Sequence, residues 1–310
     1  MCIFYLLLIF VILPSTLSQH FNYIEIRYVK NNTVFVSPYA DDVNFEKEIT
    51  DIWVDNQTIP ILKTGSFQNL PKLKLIKIRE CGLSKIEDNA FENLPKLRIL
   101  NLNKNRLKVI KNGTFSRLAI SKLYLAMNGI ESLETEAFYN ITNLEVIDLS
   151  RNNLKHLHTH MFKGTPYLRQ IDLSFNKIEV VPYECFKGTF SNVEEGEESF
   201  IRLNDNQMKH LGLGQLKGIY NIKELNLGNN VIENVDMNTF KKINYIEILN
   251  LENNQLSSLH NSVLRDLQST ALYIDSNPLN CEFVKKFVRW CINYKKNSTI
   301  NSGHLKQCNV

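Results

Sequence analysis

One frame of apolar residues returns through most of this 310-residue chain at a step of 24. Leu144, Ile147, Leu149, Asn152, Leu154 and Leu157 set it out as LxxLxLxxNxLxxL. One step on it reads Leu168, Ile171, Leu173, Asn176, Ile178 and Val181; one step back, Ile120, Leu123, Leu125, Asn128, Ile130 and Leu133. The asparagine place runs Gln57, Cys81, Asn105, Asn128, Asn152, Asn176, Asn206, Asn230, Asn254 and Asn277, with one long step of 30 residues. A unit this short cannot bury its own apolar face, so successive turns must stack. In LxL the two large residues alternate with polar ones, which is the period of a strand with one buried face. Parallel strands stack about 4.8 Å apart, so ten of them give a surface ~45–50 Å long. The asparagine turns the chain inward, where its amide can satisfy buried backbone groups of neighbouring turns. Phe67, Phe91, Phe115, Phe138, Phe162, Phe186 and Phe240 are placed to stack as a second spine.

The frame resembles the extracellular leucine-rich-repeat superfamily in its typical 24-residue form, over about residues 45–280. The resemblance implies an α/β solenoid: a horseshoe with a parallel concave β-sheet, about ten repeats and a cap at each end. Residues 19–44 are the expected N-terminal cap, with Tyr23 to Tyr28 alternating like an edge strand; residues 19–80 lack the cysteines the family often places there. Asn277-Pro278-Leu279-Asn280-Cys281 looks like the entry to a C-terminal cap over residues 281–310. Phe283, Phe287, Trp290, Cys291 and Tyr294 follow at helical spacing, and Lys285, Lys286 and Arg289 fall on the other face, as a solvated surface would. The family cap forms two bridges, but Phe283 stands where its second cysteine would. The resemblance therefore implies a Cys281–Cys308 disulfide, with Cys291 as an alternative partner for either. Cys81 substitutes for asparagine, and Cys185 holds a place that is small in other turns. An intermolecular bridge through the odd cysteine stays open.

Ile3 to Leu13 form an unbroken apolar run of eleven, followed by Pro14 and small residues near Ser18. This is the pattern of a secretory signal peptide over residues 1–18, although no Lys or Arg precedes the run. It is too short to span a bilayer, which needs about 20 residues. The expectation is a secreted, extracellular chain without a membrane span or C-terminal anchor. Five sequons agree with that compartment: Asn31, Asn56, Asn112, Asn140 and Asn297. The formal charge of +4 is too mild to point to nucleic acid or a membrane surface.

Catalytic patterns are missing from the sequence. Gly212-x-Gly214 lacks a third glycine, and there is no P-loop, HExxH or GxSxG. The expectation is a protein that is not an enzyme and takes no cofactor and no metal. His156, His158 and His160 could ligate zinc from one face, but Leu157 is the inward residue of that stretch, leaving solvated loop histidines. The long step contains Ser191 to Ser199, read either as a tolerated surface excursion or as an acidic lip for a partner. Among the outward strand positions, Tyr124, Met127, Arg151, Phe175, Phe200 and Arg202 combine aromatic, Met and Arg side chains, the types enriched in interface anchors. Most sequons fall off the strand frame, which leaves the middle of that face bare. The leading reading is a secreted recognition protein for a protein or glycoconjugate, most like the soluble insect-type members linked to innate immunity. The alternatives are a matrix component resembling small leucine-rich proteoglycans, and a soluble receptor-like or inhibitory ectodomain.

Overall fold

The computed structural model describes residues 26–30, 33–37, 49–294 and 302–309. The expected signal peptide, most of the N-terminal cap segment, Asn31 and Asn297 lie outside the described residues. The chain forms two units, Met1–Leu107 with Arg117–Tyr124, and Lys108–Ser116 with Leu125–Val310. Each is a stretch of α/β leucine-rich-repeat solenoid with a parallel sheet on one side and short returns on the other. The chain makes about nine turns in all.

In the first unit, β3 (Ile49–Asp55), β4 (Leu75–Arg79), β5 (Ile99–Asn101) and β6 (Lys122–Tyr124) pair in parallel, one frame step apart. Ile52 and Val54 point inward with Ile76 and Ile78, as the alternation requires. The stack opens with a hairpin of β1 (Ile26–Lys30) and β2 (Thr33–Ser37), and β1 runs antiparallel to β3 with Arg27 opposite Trp53. The single edge strand expected near Tyr28 is thus the inner strand of a hairpin, and β2 carries the edge. A hairpin satisfies the row of N–H and C=O groups that the first parallel strand would otherwise leave unpaired.

In the second unit, β7 (Val146–Asp148), β8 (Gln170–Asp172), β9 (Phe200–Arg202), β10 (Asn221–Asn226), β11 (Tyr245–Asn250) and β12 (Ala271–Tyr273) are parallel throughout. The register passes from Gln170 to Phe200 without a slip, so the six extra residues are absorbed in the return. They do not simply loop out. Val193 is buried, Asn221 Nδ2 donates to its carbonyl at 3.0 Å, and Lys223 pairs with Glu198.

The inward asparagines act as expected, and Asn152 shows how. Its Oδ1 accepts from the N–H groups of Asn128, Gly129 and Ile130 at 2.9–3.1 Å, while Nδ2 donates to Leu125 and Leu149 carbonyls at 3.0 and 2.9 Å. Cys81 keeps half of this role: its thiol donates to the Val54 and Arg79 carbonyls at 3.3 and 3.0 Å. The phenylalanine spine is stacked from Phe115 through Phe138 and Phe162 to Phe186, with centroids 5.9–6.4 Å apart; in the first unit Phe67 stacks on Phe91 at 5.8 Å. It does not continue as a phenylalanine stack to Phe240, because Leu216 fills the buried place between.

The stack closes with α1 (Asn261–Asp266), then α2 (Cys281–Asn293), which Asn280 caps by accepting from Phe283 N–H at 2.8 Å, and α3 (Ser302–Gln307). Phe283, Phe287 and Trp290 are buried and stacked along α2, whereas Tyr294 is exposed. A disulfide joins Cys281 to Cys308, with Cα atoms 5.1 Å apart. Cys185 is fully buried, and that burial pushes its thiol pKa far up, so it is a packing residue.

Candidate functional site: the outward face of the sheet

At the end of every strand the chain must swing inward to deliver the ladder side chain, and it does so through one left-handed residue. These are Asn56, Glu80 and Lys104 in the first unit, then Met127, Arg151, Phe175, Asp205, Asn229, Asn253 and Ser276 in the second, with φ between 52° and 58°. The peptide N–H at this place donates across to the next turn: Met127 to Ser150, Arg151 to Ser174 and Phe175 to Asn204, at 2.9–3.1 Å. Asn and Asp tolerate this conformation best, and a bulky side chain there is an outlier. Asn229, Asn253 and Asp205 follow that preference. Glu80 and Lys104 in the first unit and Ser276 in the second depart from it, and so do Met127, Arg151 and Phe175 on three successive turns. Met127 is 47% exposed and Phe175 41%, so neither is held there by burial.

The structure brings five of the six sequence-derived residues into the second unit and pairs four of them. Arg151 lays its guanidinium 4.1 Å from the centroid of Phe175, and Arg202 lies 4.0 Å from that of Phe200. Phe200 and Arg202 are half-buried. Arg202 is also held by the Glu224 carboxylate, both contacts at 3.2 Å, with Asp172 at 3.9 Å; the Glu224 bonds raise its pKa further. Tyr124 belongs to the first unit, where it ends β6 half-buried and its carbonyl accepts from Leu102 N–H at 2.9 Å.

The frame puts Asp148 and Asp172 among the outward strand positions, but neither their pairing nor Glu224 is read from it. Asp148 and Asp172 face each other in register, each accepting from the serine two residues on, at 2.6–3.0 Å. Burial pushes the Asp148 carboxyl above the usual range, against the pull of its Ser150 bonds. The Asp-x-Ser spacing and the frame step were legible signals for this pair. Glu224 could have been found the same way, since it lies one frame step beyond Phe200.

The three histidines do not converge. His158 Nε2 lies 2.8 Å from the Leu133 carbonyl, His160 Nε2 lies 2.7 Å from Glu184, and His156 is exposed. Among the described residues no group of three His, Cys, Asp or Glu is placed to hold a metal. The sequons Asn56, Asn112 and Asn140 are exposed. No helix of the described residues is long and apolar enough to cross a membrane.

A family profile described as BspA-type leucine-rich repeat region matches residues 60–194 in six copies, and one described as leucine-rich repeat matches residues 200–256 and 221–279. Together they span more than half of the chain. It belongs to the leucine-rich-repeat superfamily. No curated protein matches the chain. Among solved structures this leucine-rich-repeat chain is similar in fold to human 5T4 (Wnt-activated inhibitory factor 1, trophoblast glycoprotein), at 19% identity and TM-score 0.53 over 81% of this chain and 84% of that one. It is similar to Toll in the Drosophila Toll–Spatzle complex at 21% identity and TM-score 0.59, over 78% of this chain and 36% of that one. It is also similar to TLR13 in a complex with ssRNA13, at 23% identity and TM-score 0.50, over 82% of this chain and 44% of that one. The leucine-rich-repeat chain thus spans less than half the length of the Toll and TLR13 chains it resembles.

Proposed function

We propose that this leucine-rich-repeat protein is a secreted, non-enzymatic recognition protein that holds a protein or glycoconjugate partner on the outward face of its second-unit sheet. The observation that carries the reading is the run Met127, Arg151 and Phe175. Three successive turns place large side chains where the backbone favours Asn, and burial does not account for Met127 and Phe175, which are 47% and 41% exposed. Exposed aromatic, Met and Arg side chains beside the Asp148–Asp172 pair supply anchors with a polar surround, the usual build of an interface. The apolar leader, the sequons and the Cys281–Cys308 bridge support an extracellular setting. The likeness to Toll, whose complex with Spatzle is described as a hub in development and innate immunity, supports an immune one.

The test is affinity capture from native extracellular fluid with three immobilised proteins: the parent, Met127→Ala/Phe175→Ala, and a control altered on a return, Tyr167→Ala. The reading expects the parent and the control to retain the same partners and the double variant to lose them. Equal capture by all three would remove the sheet face from the proposal.

A further inference from the structure

The sequence placed Lys285, Lys286 and Arg289 together on a solvated helix face. The structure separates them. Lys286 and Arg289 line an open cleft of about 430 Å³ between α1 and α2, joined there by Arg265 from α1, while Lys285 is outside it. Two bonds hold the cleft in shape: Trp290 Nε1 donates to the Leu264 carbonyl at 2.9 Å, and Gln268 Nε2 donates to the Tyr294 hydroxyl at 2.8 Å. Lys286, Arg289 and Asn293 recur at helical spacing, so one face of α2 supplies most of one wall.

The lining holds three cations and, among the described residues, no carboxylate. Several basic side chains elsewhere in the unit do meet acids: Lys108 with Glu131, Arg169 with Glu145, Arg202 with Glu224 and Lys217 with Glu184. Three like charges lining one cleft repel each other. An anion would relieve that repulsion, and arginine's planar fork suits a sulfate or carboxylate in particular.

The remaining walls say which anion. Asn261, Gln268 and Asn293 present amides, which donate and accept and so pair with hydroxyls in either sense. Tyr294, which is exposed, adds aromatic surface against which the apolar face of a sugar ring can lie, while buried Trp290 forms the floor. The volume falls in the ~300–1,000 Å³ range of small-ligand pockets. We propose that this cleft binds a saccharide bearing sulfate esters, its sulfates on Arg265, Lys286 and Arg289 and its hydroxyls on the amides. An acidic peptide would use the cations and leave the amide and aromatic walls idle. The site is separate from the sheet face, and neither proposal depends on the other.

The test is calorimetric titration of the full chain with four probes: a fully sulfated heparin tetrasaccharide, its desulfated counterpart, inorganic sulfate, and a glutamate peptide of matched charge. The tetrasaccharide should bind, more weakly as salt rises, and the desulfated form and inorganic sulfate should bind at least tenfold more weakly. Lys286→Gln/Arg289→Gln should weaken tetrasaccharide binding tenfold or more, while Lys285→Gln, an equal loss per charge on the same helix, should change it less than twofold. Asn261→Ala/Asn293→Ala should weaken the tetrasaccharide several-fold and leave the glutamate peptide unchanged. All these positions are at least partly exposed, and circular dichroism of each variant shows whether it folds. The proposal is overturned if the parent does not bind the tetrasaccharide, if the glutamate peptide binds as tightly, or if Lys285→Gln matches the effect of its neighbours.

Discussion

Phe175 combines a φ of 55° with 41% exposure, a position that costs stability and is not repaid by burial. A bulky residue held left-handed costs on the order of 1–3 kcal/mol. Phe175→Asn is therefore expected to stabilise the chain by ~1 kcal/mol in urea unfolding while weakening partner capture. A loss of stability would show that the ring is part of the core after all. Glu184 is the opposite kind of residue, one whose charge the fold needs. It accepts from Lys217 above all, then from His160 and Lys187, and these bonds lower its pKa from 4.5 to about 2. A depressed carboxylate pKa contributes stability that is present above the unfolded value and is lost as pH falls toward the folded one. Stability should thus decline between pH 4.5 and about 2, and Glu184→Gln should flatten the decline in that window. An unchanged acid profile would rule out this cluster as its source.

Among the elements, the asparagine ladder carries the largest burden per side chain. Asn152→Ala would leave three N–H groups short of a partner, while the Leu125 and Leu149 carbonyls keep the amides of Asn128 and Asn176. At ~1–3 kcal/mol for each buried group left unsatisfied, the loss should be at least ~3 kcal/mol in denaturant unfolding. Gln57, at the first place in the series, bonds only weakly to the Asp55 carbonyl at 3.3 Å, and Gln57→Ala should cost under ~1 kcal/mol. Equal costs would mean that the ladder position, rather than its bonds, sets the stability. The ladder, the inward Leu and Ile and the stacked Phe115 to Phe186 were all legible in the sequence, because each depends on a period that is local to one turn. The hairpin of β1 and β2 was half legible: alternation identifies a strand but not its partner. The break at Leu216 was visible as a missing phenylalanine, and its consequence was not.

At the scale of the whole molecule, a stack of repeats holds its stability in contacts between neighbouring turns, and unfolding need not be all-or-none. Hydrogen exchange of Asn152→Ala should show lost protection at β7 and β8 while β11 and β12 keep theirs. Uniform loss would mark the second unit as a single cooperative block. If the apolar leader directs export, the chain recovered from the medium of eukaryotic cells should begin at Gln19 and carry glycans on Asn56, Asn112 and Asn140, as read by peptide mass mapping. Retention inside the cells with an intact leader would refute the secreted reading.

The repeat frame was enough to say which side chains turn inward, where each strand and ladder asparagine falls, and that the product is a leucine-rich-repeat solenoid, because alternation and step length are properties of residues close together in the chain. Which outward groups meet was decided by stacking. Arg202 finds Glu224, Asp148 faces Asp172, Glu184 gathers His160 and Lys217, and Arg265 joins Lys286 and Arg289 across a cleft. Each of those meetings joins residues of different turns or helices, and the direction of a side chain at the end of a strand depends on a backbone angle that no hydropathy pattern encodes.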